Sequence, residues 1–174
     1  MKTIRNLLIA CCMLGVYSCD QLTTQQDVSF EKEMTSISVS VANEPIPTQT
    51  SEISILDANQ SGLTSLVKKA ELKTITIKVT EATVQSKLYG ELKYSKSSET
   101  VGKSLIKFLN EPLNIVVGDS IQKTVDATAA KEISDMIVSE EPIKFYLDGK
   151  ASVPTVFSVK IVVVANLTIG ALGE

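Results

Sequence analysis

The chain has 174 residues and a formal net charge of −3, with 44% hydrophobic, 21% charged and only 5% aromatic residues. That suits one domain with a largely aliphatic core, and its mildly acidic balance argues against phosphate-backbone binding, so nucleic acid is not an expected partner. There is no His and no Trp, which removes the Ser-His-Asp triad, the usual general base at neutral pH and the commonest zinc ligand.

The first 18 residues read as a leader. Lys2 and Arg5 precede an apolar run over residues 7–16, which is much shorter than the roughly 20 residues that span a bilayer. Val16-Tyr17-Ser18-Cys19 follows, with a small residue directly before the cysteine. These four residues resemble a lipobox, the cleavage and acylation site of bacterial lipoproteins. The resemblance implies that Cys19 is the lipid attachment residue and that Val16, Tyr17 and Ser18 direct the cut. Cys11 and Cys12 fall within the leader, so Cys19 is the only cysteine after it. An unpaired thiol in an exported chain is otherwise an oddity, and acylation removes it. Taking Lys2 and Arg5 from the 17 basic residues leaves 15 against 20 acidic, a net charge of −5 for the remainder. The leader and the polar, Ser/Thr-rich body are similar to Bacteroidota lipoproteins. This implies a cell-envelope location, lipid-anchored at the outer membrane, and a small sandwich domain.

Residues 19–27 (with Gln21, Leu22, Thr23, Thr24, Gln25, Gln26 and Asp27) are polar and read as a tether. The folded domain is expected over 28–174. Residues 28–42 form a strand region in which Val28, Phe30 and Met34 share one parity and Ile37, Val39 and Val41 the other, the signature of a bulge or break. Pro45 and Pro47 make a loop, and Ile53 and Ile55 begin a short strand.

Asp57-Ala58-Asn59-Gln60-Ser61-Gly62 has the oxygens of half a calcium loop, but its twelfth position is Lys68 where calcium needs a carboxylate. An Asx-turn leading into a helix over about 62–70 is the preferred reading, with no metal site. Ile75, Ile77 and Val79 alternate in a strand over 72–80, and 85–95 is the expected hairpin partner. Residues 105–109 fit either strand or helix. Residues 113–117 and the segment around Ile121 and Val125 are short strands, and Asp126 is placed to cap a helix over 128–138. Ile143, Phe145 and Leu147 alternate up to Asp148-Gly149, a hairpin-turn dipeptide. The last strand holds Phe157, Val159, Ile161, Val163, Ala165, Leu167 and Ile169 in one phase, with Val156, Val162 and Val164 on the other face. A strand apolar on both faces belongs in the middle of a sheet or under a helix.

Short strands, polar turns and two short helices define an all-β protein, an antiparallel β-sandwich that is immunoglobulin-like in general architecture. A small, partly open barrel is the alternative.

No catalytic residue is assigned. Ser65-Leu66-Val67-Lys68 and Ser104-Leu105-Ile106-Lys107 match a bare Ser-x-x-Lys pattern without its companion motifs. Glu140 and Glu141 are adjacent glutamates at a helix end, where solvated carboxylates are common. Asp119-Ser120-Ile121 matches the short pattern at which Bacteroidota-like envelope proteins are O-glycosylated, and a Gly-Asp-Ser turn accounts for the same residues. No cofactor is implied. The expected function is a non-catalytic binding, adhesion or assembly module. It is held to the membrane by its lipid and faces an envelope protein or glycan. A carrier or chaperone for apolar ligands is the alternative, and a His-independent hydrolase comes third.

Overall fold

The computed structural model describes residues 23–54 and 67–170. The elements are β1 (Thr23–Val39), β2 (Gln49–Ile53), β3 (Val67–Ala82), β4 (Ser86–Lys96), β5 (Lys103–Lys107), β6 (Leu113–Ile115), β7 (Ser120–Lys123), α1 (Ala127–Val138), β8 (Ile143–Ala151) and β9 (Thr155–Gly170). They make two packed antiparallel sheets. The first has the order β1-β9-β3-β7, and the second the order β2-β8-β4-β5, with β6 also paired to β4. One apolar core lies between them, built from residues such as Ile75, Ile77, Val159 and Ile161 on one side and Leu88, Leu92, Phe145 and Leu147 on the other. All four phenylalanines are inside it. β1 and β2 approach each other at one side but belong to different sheets, so the fold is a sandwich and not a closed barrel.

β9 is the interior strand of the first sheet, as its two apolar faces require. Phe157, Val159, Ile161, Val163, Ala165, Leu167 and Ile169 are all buried. β1 runs along one edge of β9 and β3 along the other. The parity change in β1 is a register shift between Met34 and Ile37, with Ser36 at φ 55. The bulge returns Ile37 and Val39 to the core, and Val41, beyond the strand, is exposed. Val28, where the domain was expected to begin, lies within β1. Thr23–Asp27, expected as tether, are paired with Asn166–Gly170. Their side chains are polar and exposed, but backbone pairing needs no apolar side chain, and Asn166 Nδ2 donates to Asp27 Oδ1 at 2.8 Å.

Asp126 caps α1, its Oδ1 accepting from the backbone N–H of Thr128 at 2.9 Å and Ala129 at 3.1 Å. At the other end Glu140 adopts φ 58, Glu141 N donates to Met136 O and Glu140 N to Ile137 O, a Schellman closure made without glycine. The helix buries Ala129, Ile133, Ser134, Met136 and Ile137. It lies against the part of β3 that β7 leaves unpaired, and Leu72 N donates to Ser134 Oγ at 3.1 Å. A sheet edge is thereby covered by a helix.

Three expectations are corrected. The helix over 62–70 is not present at 67–70, which begin β3; residues 62–66 lie outside the described residues, so α1 is the one helix described. β3 and β4 are not a hairpin but lie in opposite sheets. Their short connection is tied to the start of β9, Thr83 N donating to Val156 O at 2.9 Å, which turns the chain over the end of the sandwich. Asp148-Gly149 is not a turn either. β8 runs straight through it, and the reversal comes at 152–154. Gly149 stands opposite Gly90, and a Cβ on Gly90 would sit 2.0 Å from Asp148 O, one on Gly149 2.6 Å from Tyr89 O. The glycines serve close strand approach, not a left-handed turn.

Gly90→Ala should therefore destabilise the domain by roughly 1–3 kcal/mol, as overpacking does. Urea unfolding followed by circular dichroism measures it, and a midpoint equal to wild type would contradict the close approach.

Candidate functional site

Val16, Tyr17, Ser18 and Cys19 lie outside the described residues, as does the calcium-like segment 57–62. Lys68, which denies that segment its twelfth ligand, is exposed on β3. Among the described residues no group of three or more His, Cys, Asp or Glu could hold a metal ion. None of their helices is long and apolar enough to cross a membrane.

The Ser-x-x-Lys motifs do not assemble a site. Ser65 is outside the described residues. A bulge in β5 brings Ser104 and Lys107 to the outer face of the second sheet, where Ser104 Oγ donates to Glu91 Oε2 at 2.9 Å in the open. Glu140 and Glu141 are separated in role: Glu140 is the exposed left-handed residue after α1, and Glu141 pairs with Lys96 Nζ at 2.9 Å. Ser120 is exposed at the start of β7, an edge strand, after a turn closed by Asp119 N donating to Val116 O. That turn spans Val116–Asp119, so Gly118 and Asp119 belong to it and Ser120 already belongs to the strand.

Two clusters bring titratable groups together. In the first, Tyr94 Oη donates to Glu132 Oε2 at 2.8 Å and Lys103 Nζ donates to the same oxygen at 2.7 Å, tying α1 to β4 and β5 beside a cavity of about 160 Å³. Burial first, and the Glu132 hydrogen bond second, push the Tyr94 phenol well above its ordinary range. Hydrogen bonds from Lys103 and then Tyr94 hold the Glu132 carboxyl below its own. In the second, Lys93 Nζ lies 2.7 Å from Asp148 Oδ2 and 3.1 Å from Glu91 Oε1, and Thr48 donates to Asp148 Oδ1 at 2.6 Å. Partial burial would raise the Asp148 carboxyl, but Lys93 and Thr48 outweigh it and lower it. The Asp148 and Glu91 hydrogen bonds raise Lys93. Each of these shifts moves its group away from neutrality. A general acid or base needs the opposite, and the hydrogen bonds of each cluster tie together the elements that carry it.

A groove of about 510 Å³ lies between α1 and the start of β3, lined by Ala70, Leu72, Ala130 and Val138 and by Lys68, Lys69 and Lys131. A shallower one of about 270 Å³ lies over Gly90 and Gly149 beside Tyr89 and Leu109.

A different arrangement occupies the end of the sandwich opposite Thr23. There the β3–β4 and β8–β9 connections are stapled by hydroxyls. Thr83 Oγ1 accepts from Val156 N at 2.9 Å, and Thr155 Oγ1 donates to Val84 O at 3.0 Å. Ser86 Oγ accepts from Val153 N at 3.2 Å, and Ser152 Oγ from Lys87 N at 3.0 Å. The staples hold Val84, Val153 and Val156 outward, 52%, 37% and 40% exposed, and Val41 and Val117 flank them at 48% and 61%. Residues 40–43, 83–85, 116–118 and 152–156 contain no charged side chain. Sequence reasoning missed this site because its hydroxyls lie on two connections far apart in the chain, Thr83 and Ser86 on one and Ser152 and Thr155 on the other. The local absence of charge in a chain with 21% charged residues was the available signal.

No protein-family model matches the sequence, and no curated protein matches it. Among solved structures the chain is similar to a decameric BFDV capsid protein, at 13% identity over 83% of this chain and 97% of that one, with a TM-score of 0.39. It is also similar to a structure of Desmodium yellow mottle tymovirus, at 16% identity over 87% and 91%, with a TM-score of 0.35. Neither likeness carries a site or an activity to this chain.

The titrations have a stability consequence. Glu132 is depressed in the fold, so its contribution is present above the unfolded carboxyl value, about 4.3, and is lost as pH falls through the folded value. Tyr94 is raised, so its contribution is present below the unfolded phenol value, about 10, and is lost as pH rises beyond it. Glu132→Gln should flatten part of the acid-side loss in a series of thermal melts from pH 3 to 7, an order-of-magnitude window around that carboxyl value. An unchanged pH profile would show that the Lys103–Glu132–Tyr94 contacts do not act as described.

Proposed function

We propose that the chain is a lipid-anchored protein of the cell envelope, held at the outer membrane through Cys19, and that its sandwich domain is a non-catalytic binding, adhesion or assembly module. The observation that carries the reading is the polarity of the fold. Thr23, four residues after Cys19, lies at one end of β1, and the hydroxyl-stapled β3–β4 and β8–β9 connections lie level with Val39 at the other, roughly 50 Å away by the rise of an extended strand. An anchor at the first end presents the second outward. Each buried methylene of an acyl chain contributes about 0.8 kcal/mol, so more than one chain gives firm attachment.

The titratable clusters support a binding role over a catalytic one, since their shifts run away from neutral pH. The partner is an envelope protein or glycan, and nucleic acid is not one. Ser120, exposed on an edge strand, belongs to the same reading as an O-glycosylation acceptor. The carrier alternative requires room between the sheets, and the residues there, Leu88, Phe145, Ile161 and Val163 among them, are wholly buried in one continuous core.

Cys19→Ser is the direct test. Expressed in a Bacteroidota host, the wild-type chain should label with radioactive palmitate and sediment with membranes, and the variant should do neither. Equal membrane partition and labelling of the two would overturn the anchored reading.

A further inference from the structure

β7 pairs with β3 only over residues 75–78, so the same edge of β3 continues over 67–74 with no described strand beside it. α1 covers this stretch, yet among the described residues it is bonded to the strand at one point, where Leu72 N donates to Ser134 Oγ. That bond fixes which residues face the edge. Alternate residues of an antiparallel ladder turn their N–H and C=O to opposite sides, so Ala70 faces the same way as Leu72, and no described residue bonds its N–H or C=O there. Beside it lies the groove of about 510 Å³, whose apolar lining is Ala70, Leu72, Ala130 and Val138. Two carboxylates also line the groove, Glu71 and Asp135, and both are taken up, by Lys73 at 2.8 Å and Lys131 at 2.5 Å. Lys68 and Lys69 are exposed and pair with no described carboxylate, in a chain that is acidic overall.

We propose that this groove takes an extended acidic segment of a partner protein, added to the free edge of β3 as a short antiparallel strand. The proposal deepens the binding-module reading and rests on it for the expectation of a protein partner. The chemistry of the occupant follows from what the groove leaves unsatisfied. Unpaired N–H and C=O groups at a sheet edge are met by another extended backbone, whereas a lipid tail or a sugar ring does not offer donor and acceptor at the repeat of a strand. The direction is antiparallel because β7, which holds the next stretch of the same edge, pairs that way. Successive side chains of the added strand point to opposite faces. Those level with Ala70 and Leu72 meet the apolar lining, and those level with Lys69 meet its ammonium group, so alternating aliphatic and acidic residues fit. Ala70 is level with Leu167, and Leu167 with Gln26. The groove therefore lies toward the Thr23 end, and its segment belongs to a partner that reaches that side of the domain. Little of the edge is free, so the added strand is short and each contact is weak.

The test uses the chain from residue 19 onward in solution, with the Cys19 thiol blocked by iodoacetamide, so its outcome is independent of the anchor. The probe is a fluorescein-labelled hexapeptide of alternating valine and glutamate, whose anisotropy should rise saturably with added protein. In the antiparallel register the valine N–H groups face β3 and the glutamate N–H groups face away. N-methylation of the valines should weaken binding about tenfold or more, the loss of one or two backbone hydrogen bonds, and N-methylation of the glutamates should cost severalfold less. Lys68→Glu/Lys69→Glu should weaken binding severalfold, and Lys87→Glu/Lys150→Glu, the same change of net charge away from the groove, should leave it unchanged. All four lysines are exposed, so both variants should melt with the wild type. No saturable binding, equal loss from the two methylated peptides, or equal loss from the two charge variants would each overturn the proposal. Phosphatidylglycerol vesicles bound through Lys68 and Lys69 in place of the peptide would overturn it in favour of lipid headgroups.

Discussion

The structure depends on β9 being hydrogen-bonded along both edges while its odd-numbered residues face the core. A slip of one residue would turn Phe157, Val159, Ile161, Val163, Ala165, Leu167 and Ile169 outward together, so its register is strongly specified. Both neighbours adapt to it. β1 absorbs its parity change in the bulge at Met34–Ile37, and β3 does the same between Leu72 and Thr74, which lets Ala70 and Leu72 on one phase and Ile75, Ile77 and Val79 on the other all reach the interior. The β3 irregularity is also where Leu72 N turns to Ser134. The helix that covers the β3 edge is thus held at the point where the sheet adjusts its phase.

Periodicity carried much of this into the sequence. The central place of β9, the break in β1, the Asp126 cap and the buried face of α1 were legible because each depends on local pattern or on one side chain. What was not legible depends on pairing between distant segments. Asp148-Gly149 has the composition of a turn, and only the glycine at position 90, far away in the chain, makes it a straight crossing. Residues 72–80 and 85–95 are separated by a hairpin-sized loop, and only the hydrogen bonds from Thr83 to Val156 show that the loop changes sheets. Thr23–Asp27 has the composition of a tether but finds a backbone partner in the equally polar end of β9. The candidate site was harder still, because stapling hydroxyls have no spacing rule and were separated by up to 72 positions in the chain.

The two kinds of polar contact are unevenly divided over the surface of the fold. Lysines and carboxylates pair along the outer faces and across α1, as in Lys93 with Asp148 and Lys103 with Glu132. Exposed pairs of this kind add little stability, but each leaves residual charge that resists removal from water. The distal loops are held by Ser and Thr instead. Thr155 and Ser86 are themselves buried and spend their hydroxyls on backbone atoms of the facing loop.

That choice of staple matters for what the end can do. A loop pinned by an ion pair stays costly to dehydrate, since two charges must leave water together. A loop pinned by neutral hydroxyls has its polar atoms already satisfied inside the protein, and what remains to dehydrate is mainly aliphatic. The same connections that turn the chain from sheet to sheet therefore yield a surface that is both rigid and inexpensive to cover. The sandwich needs those turns in order to close. It does not need valines on their outer side, yet five of the eight exposed large aliphatic side chains among the described residues stand at the end farthest from Thr23.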